Sequence, residues 1–307
     1  MMRLGVVALS IVISGYALAV ECRMTPAFSQ PDDKGKTSVA VWAEPNKAVL
    51  FGGSMHVNTD GTKRSYRVED FWGTKDAVNN LCNAMSDRCD DLTKPQMRAR
   101  RILTEQAKAN GWQRADLAAT KIEPKIIPNG PDGKPCAEKD GFMVSATALV
   151  DASVRDQCNP ARYADAMILP AIVVPGRIKN VPTGFELNDA KVGDLAVVAT
   201  RDLSKIVYAV VGDSGPTKDI GEGTIALARA LLGKNHDPVN YREVRGRPPF
   251  RGQGWDVPQT ITLILSGSRD NRTPYMTIAR IEQDAASKFA AWGGVERLRA
   301  CASVYRR

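Results

Sequence analysis

The amino-acid sequence predicts a mainly β fold with helical insertions, an α+β protein built around a β-barrel. Short apolar runs rich in β-branched residues dominate the middle of the chain, with Gly or Pro at their flanks, which is typical of strands. Helical patterns are placed around these runs. The 307 residues are 43% hydrophobic and 25% charged, a composition typical of a folded protein with a sizeable core and not of a disordered chain.

The first half of the chain contributes three recognisable segments. Lys47 to Tyr66 reads as strand, turn and strand, with Asp60-Gly61 as the hairpin signal. Lys94 to Asn110 is predicted as a helix, since a proline suits its first turn and a glycine follows its end. Ile126 to Pro135 is a turn-rich connection.

The second half contributes most of the strands. Its apolar runs are Phe142 to Val150, Met167 to Val174, Asp194 to Ala199 and Ile206 to Val211. Thr224 to Leu232 is predicted as a helix, because Thr224 suits the N-cap position and Gly233 the C-terminal stop. Gln259 to Leu265 alternates as a late strand, and Thr277 to Arg299 closes the chain as a helix.

The N-terminus has the pattern of a secretory signal peptide. Residues 1–19, MMRLGVVALSIVISGYALA, combine a basic start, an apolar stretch and small residues at Ala17 and Ala19. We therefore expect cleavage after Ala19, which leaves residues 20–307 as a single secreted or periplasmic domain without a stable membrane anchor. The alternative is an uncleaved anchor, although the run from Leu4 to Val20 is near the lower limit for spanning a bilayer.

The cysteines and histidines indicate which of disulfide bonds and metal sites the protein can form. An even number of cysteines in an exported chain indicates disulfides, and Cys82 and Cys89 are close enough in sequence to close a local loop. A metal site is not predicted, because C-x-x-C pairs are absent and the chain has only two histidines. The six cysteines are Cys22, Cys82, Cys89, Cys136, Cys158 and Cys301.

The net charge of +8 favours anionic surroundings such as cell-wall polymers or membrane surfaces. Nucleic acid is not predicted as a partner, because the basic residues are scattered and aromatic residues make up only 6% of the chain. No cofactor is predicted, and the oligomeric state stays open.

The segment VVGDSGPTKDIGEGTIALARALLG, from Val210 to Gly233, carries the chemistry. Ser214 sits in a near match to a serine-protease signature, but such a serine needs a histidine beside it, and His56 lies in no fitting context. Asp213 and Glu222 form a better pair, because glycosidic hydrolysis needs two carboxylates flanking the scissile bond. In the alternative interpretation both acids are structural: Asp213 forms a turn, and Glu222 interacts favourably with the dipole of the helix that follows it.

This segment resembles the core motif of glycoside hydrolase family 75, the fungal-type chitosanases. The stretches HVNTDGTKRSY, YADAMILPAIVVP and VGDLAVV also resemble parts of that family in the same order, so that the likeness covers Lys47 to Gly233. The Asp-x-Gly-Pro arrangement before a helix is similar to the double-psi β-barrel of expansins and family 45 endoglucanases. Residues 87–128 and 234–258 match no part of the pattern, and the C-terminal part is a helical extension.

The resemblance implies an endo-acting, inverting hydrolase that cleaves β-1,4 linkages in an amino-sugar polymer, with chitosan foremost and no cofactor. It makes Asp213 and Glu222 the paired acids, and we expect Glu222 to be the general acid and Asp213 to stay ionised. Peptidoglycan hydrolysis and a non-catalytic wall-binding module of the double-psi type remain alternatives. Further candidates for substrate binding are Asp60, Asp132, Asp194, Tyr66 and Trp72.

Overall fold

The computed structural model describes residues 21–86, 92–138 and 140–305, so the predicted signal peptide lies outside the described residues. The strands are β1 (Thr25–Asp32), β2 (Thr37–Glu44), β3 (Ala48–Asn58), β4 (Tyr66–Arg67), β5 (Phe142–Met143), β6 (Ala171–Pro175), β7 (Leu195–Thr200), β8 (Ile206–Gly215), β9 (Glu222–Thr224) and β10 (Val257–Leu265). The helices are α1 (Lys94–Ala109), α2 (Arg114–Thr120), α3 (Gly184–Leu187), α4 (Ile225–Leu232), α5 (Tyr241–Val244), α6 (Ile278–Trp292) and α7 (Gly294–Tyr305).

Six strands close into a barrel. They follow the order β3-β10-β7-β8-β6-β9, and β9 pairs back onto β3. The pairs β3–β9 and β6–β8 are parallel, and the other four pairs of the ring are antiparallel. β1 and β2 continue the sheet outward from β3. The predicted barrel core with helical additions is therefore confirmed.

Two apolar cores lie on the two sides of the barrel wall. One joins side chains such as Val57, Ile172 and Val198 to Leu227 of α4. α4 packs against β3, β6, β8, β9 and β10, and because a helix on the outside of a barrel reaches only neighbouring strands, α4 covers one end of this interior. Alternate residues of the same strands face outward, where the second core packs them against α6 and α7.

A third apolar cluster lies beside the barrel and is built mainly from an insertion, residues 66–127, that includes most of the first segment without a counterpart in the family resemblance. It gathers Tyr66, Phe71, Leu81 and Met85 with Ile127, and α1 and α2 belong to the same part of the chain. α1 starts at Lys94 as predicted, and Thr93 and Gln96 form a capping box at its N-terminus. This insertion supplies one wall of the functional region described below.

Three sequence expectations are corrected. The strand after Asp60-Gly61 does not return along β3, because β10 and β9 already occupy the edges of β3; Tyr66–Arg67 pairs with β5 instead. Only Phe142–Met143 of the run to Val150 is a strand, since amides further along bind other groups. The last helix breaks in two where Gly293 and Gly294 both have positive φ.

Two disulfides tie distant parts of the described chain. Cys22 bonds to Cys301 across a sequence separation of 279, and Cys136 bonds to Cys158 across 22. The disulfide prediction is thus confirmed for these four cysteines, which indicates an oxidising compartment. Cys89, the predicted partner of Cys82, lies outside the described residues. None of the described helices is both long and apolar enough to cross a membrane.

Candidate active site

One outward face of the barrel wall is polar. Val173 of β6 pairs with Asp213 on one side and with Glu222 on the other, and His56 of β3 pairs with Glu222. Residues paired directly across strands point to the same face of a sheet, and Asn58 follows His56 by two positions on the same strand. The four polar side chains therefore share one face across β3, β9, β6 and β8, on the side opposite to the barrel interior.

A β-bulge brings Asp213 to that face. Ile172 pairs with Val211, and both contribute to the interior core, but the next residue of β6, Val173, pairs with Asp213 and not with Gly212. In a regular strand Asp213 would lie two positions after Val211 and would point into the interior with it. The extra residue of the bulge reverses the side, so that the carboxylate leaves the apolar core.

The side chain of Asp213 is partly exposed to solvent, but protein atoms surround most of its carboxyl group. Its Oδ1 accepts hydrogen bonds from the backbone N–H groups of Ala148 and Ser214, each at 2.8 Å. Burial, followed by the nearby carboxylates of Asp60 and Glu222, raises the pKa of Asp213 to about 7 against the lowering effect of the two amides. Asp213 is therefore a carboxylic acid that keeps a substantial protonated fraction near neutral pH.

Asp60 forms the third corner of the acid cluster. Its Oδ1 accepts hydrogen bonds from Tyr66 Oη at 2.7 Å and from Ser145 Oγ at 3.1 Å, while its backbone N–H donates to Asn58 Oδ1 at 2.8 Å. Asn79 Nδ2 donates in turn to Tyr66 Oη at 3.1 Å. Because Tyr66 and Ser145 are almost fully buried, they fix the carboxylate in one orientation.

Glu222 starts β9 directly before α4. Its Oε2 accepts a hydrogen bond from Asn58 Nδ2 at 3.2 Å. The preceding Gly221 has φ of +84°, and a Cβ there would lie 2.5 Å from Ser54 O, so only glycine lets this turn pack against β3. The glycines around Glu222 thus allow close packing, as the sequence indicated.

A second layer of charge borders Glu222. His56 Nδ1 lies 3.1 Å from Asp256 Oδ2, and Arg245 Nη1 lies 3.5 Å from Asp256 Oδ1. The hydrogen bond to Asp256 raises the pKa of His56, with a smaller contribution from Glu222. Val57 N–H also donates to Asp256 at 3.1 Å, which anchors the arm from residue 234 to 258 on the barrel.

The structure brings Asp213, Glu222 and Asp60 together but not the other two candidate carboxylates. Asp194 is completely buried, where it accepts from Lys191 N–H and Arg269 N–H at 2.8 Å each. Burial raises the pKa of Asp194, and its contacts fix the turn before β7. Asp132 accepts from Lys134 N–H at 3.1 Å within its own exposed turn.

The aromatic candidates separate in the same way. Tyr66 is 1% exposed, so its ring is closed to stacking on a sugar and its hydroxyl serves Asp60 instead. Trp72 is half-buried, packs edge-on against Phe71 and lines a neighbouring cleft. Within the described residues no hydrogen bond joins Ser214 to a histidine. The prediction of Ser214 as a turn residue is wrong, because β8 extends to Gly215 and Ser214 pairs with Val174 of β6.

Sequence reasoning missed Asn58, Ser145 and the layer of His56 with Asp256. The stretch HVNTD carried a usable signal, because His56 and Asn58 fall on one face of a strand and Asp60 follows in the turn at its end. The sequence contains no comparable signal for Ser145 and Asp256, since each reaches the site from a segment distant in sequence.

Comparison of the sequence with protein-family models and with curated proteins finds no match. Among the described residues, no group of three or more His, Cys, Asp or Glu side chains has the arrangement of a metal site.

Proposed function

We propose that this protein is a glycoside hydrolase that cleaves β-1,4 linkages in an amino-sugar polymer through Asp213 and Glu222. The observation that carries the proposal is the environment of the two acids, which share one polar face while burial and like charge raise the pKa of Asp213 to about 7. Groups whose surroundings separate their protonation behaviour are the usual acid and base of such sites. Chitosan is the polymer that the family resemblance implies.

The proposed roles differ from those expected from the sequence. Protonated Asp213 donates its proton to the departing glycosidic oxygen, and Glu222, held by Asn58, takes a proton from the water that attacks the anomeric carbon. The two acids flank β6, so their Cα atoms are about 10 Å apart for strands about 4.8 Å apart. Inversion requires carboxyl groups about 6.5–9.5 Å apart, a separation that positions on the two sides of β6 allow.

The barrel supports two finer parts of the proposal. A closed ring of six strands that includes two parallel pairs, with Glu222 directly before the helix that covers the barrel end, fits a double-psi arrangement. The disulfides fit export to the periplasm or the exterior, as the N-terminal sequence predicts. A non-catalytic wall-binding module would keep the fold but would not need a carboxylic acid with a raised pKa.

Release of reducing ends tests the proposal. Purified protein is incubated with deacetylated chitosan oligomers, fully acetylated chitin oligomers and purified peptidoglycan sacculi. We expect turnover of at least one of these glycans, with kcat/KM falling as pH rises above about 7, since the proton of Asp213 is then lost. Binding of glycans without any turnover would contradict the proposed hydrolase and favour a non-catalytic wall-binding module.

A further inference from the structure

A basic cleft lies beside the acidic face. Its volume is about 740 Å³, within the range of small-molecule and oligosaccharide sites. Three segments that are distant in sequence form it, namely residues 72–80, the start of α1 and residues 241–248. None of the described residues that line it is an Asp or a Glu. Its cations are Lys94, Arg98, Arg101, Arg242 and Arg247.

Most of these cations lack a carboxylate partner in the described part of the chain. Arg101 pairs with Glu105 at 3.6 Å, but no described carboxylate lies within 4.0 Å of the charged groups of Lys94, Arg98, Arg242 or Arg247. All four are exposed at the surface of the protein. Positive charge gathered around one concavity, without carboxylate partners among the described residues, attracts anions and repels a polycation.

An aromatic side chain gives the cleft a second property of sugar sites. Trp72 lines it and is half-buried, so part of its ring reaches the cleft. Tyr241 lines it as well but is 7% exposed, and the guanidinium carbons of Arg245 and Arg247 lie 5.4 and 5.6 Å from its ring centroid, so Trp72 and not Tyr241 offers a ring to a sugar. Guanidinium groups bind carboxylate and phosphate through paired N–H donors, whereas an aromatic ring suits the apolar face of a sugar.

Hydrogen bonds connect the cleft to the acid cluster. Tyr241 Oη accepts from Asn83 Nδ2 at 3.3 Å, and the same amide donates to Asn79 Oδ1 at 2.7 Å. Asn79 donates to Tyr66 Oη, which donates to Asp60. The basic cleft and the acid cluster are therefore joined by a chain of hydrogen-bonded side chains, of which Tyr241, Asn79 and Tyr66 are buried.

We propose that the basic cleft binds oxyanion substituents of the polymer whose amino-sugar backbone is cleaved at the acid cluster, so that the natural substrate is an acidic amino-sugar polymer and not chitosan. This inference rests on the proposed function for the identity of the backbone. Carboxylates, as in peptidoglycan, and phosphates on sugars offer the same chemistry to the arginines.

Binding to an inactive protein separates the inference from turnover. The full mature chain carrying Asp213→Asn is titrated calorimetrically with soluble peptidoglycan fragments, with the same fragments after methyl esterification, with phosphorylated amino-sugar oligomers and with chitosan oligomers. Arg98→Gln/Arg242→Gln is added to remove two charges from the cleft. The matched control, Arg155→Gln/Arg251→Gln, removes two exposed arginines that do not line it.

We expect the cleft variant to weaken binding of the carboxylate or phosphate ligand about 10-fold and the control variant to change it less than about 2-fold. Whichever of these two ligands binds more tightly identifies the substituent. Equal affinity for the free and esterified fragments, together with no preference for the phosphorylated oligomers, would overturn the inference, as would equal losses in the two variants. If such a result came together with hydrolysis of chitosan, the inference about the cleft would fail and the proposed function would stand. If binding depended on the cleft arginines but the wild-type protein hydrolysed no glycan, the proposed function would fail and anion binding by the cleft would stand.

Discussion

Two aspartates in different regions, Asp213 in the barrel wall and Asp70 in the adjoining insertion, show how surroundings decide what a carboxylate does. Asp70 is 3% exposed and accepts four backbone hydrogen bonds of 2.7–3.0 Å from residues 74–77. Burial alone would raise the pKa of Asp70, but these donors outweigh burial and hold the pKa below its usual value. Asp70 is thus a fixed anion around which a loop folds.

Asp213 receives only two such bonds and faces two other carboxylates. Burial and the charges of Asp60 and Glu222 therefore prevail, and its pKa rises to about 7. The comparison shows that burial alone does not decide whether the pKa of a carboxylate is raised or lowered. The balance between hydrogen-bond donors and like charges around the carboxylate sets the direction of the pKa shift.

Removing the acids of the barrel site should produce the largest effect. We expect Asp213→Asn and Glu222→Gln each to lower kcat/KM on the cleaved glycan by about 10² to 10⁴, since each removes general acid or base catalysis. Reducing-end assays measure the loss of activity. Thermal unfolding tests whether the fold is kept, and the melting temperature should change little. Ser214→Ala is the control and should stay active. An inactive Ser214→Ala protein would instead indicate that Ser214 is the nucleophile.

The same substitution at the structural acid should act on stability instead. Asp70→Asn leaves four N–H donors facing one neutral acceptor and an added amide donor, so we expect the free energy of unfolding to fall by about 3 kcal/mol. Urea denaturation at pH 7 measures it. Asp132→Asn, in an exposed turn, is the matched control and should change stability by less than about 0.5 kcal/mol. Equal losses in the two variants would remove the distinction between them.

The two acids should also give opposite pH dependences of stability. The pKa of Asp213 is higher in the folded protein than the ordinary 3.8, so its contribution favours folding below about pH 4 and is lost as pH rises toward about 7. Asp213→Asn should therefore become more stable relative to wild type over that interval. The pKa of Asp70 is lowered, so wild type loses its advantage over Asp70→Asn as pH falls. Denaturation curves from pH 4 to 8, with Asp70→Asn extended to lower pH, measure both slopes; parallel slopes would contradict the comparison.

Loss of one orienting hydroxyl should produce the smallest effect. Tyr66→Phe removes the 2.7 Å hydrogen bond to Asp60, and we expect kcat/KM to fall about 10-fold while the free energy of unfolding falls by about 1 kcal/mol. A change carried by kcat and not by KM would mark Tyr66 as a positioning residue. Tyr208→Phe, on the α6 side of the barrel, is the control and should leave activity unchanged.

The sequence by itself determined the parts that depend on near neighbours. Alternation and β-branched content predicted β7, β8 and β10, and Thr224 and Gly233 set the ends of α4 because caps act through adjacent amides. The sequence also singled out Asp213 and Glu222, since their motif is continuous in the chain.

Only the tertiary structure decided what those acids meet. The bulge at Gly212 turns Asp213 out of the interior, and Asp60 reaches it from another segment, so the roles that we propose for Asp213 and Glu222 are the reverse of those expected from the sequence. Asp194 looked the same in sequence but is buried at a turn, where Arg269 binds it. The physical reason is that pKa and accessibility depend on burial and charge contributed by residues far along the chain, which local patterns do not contain.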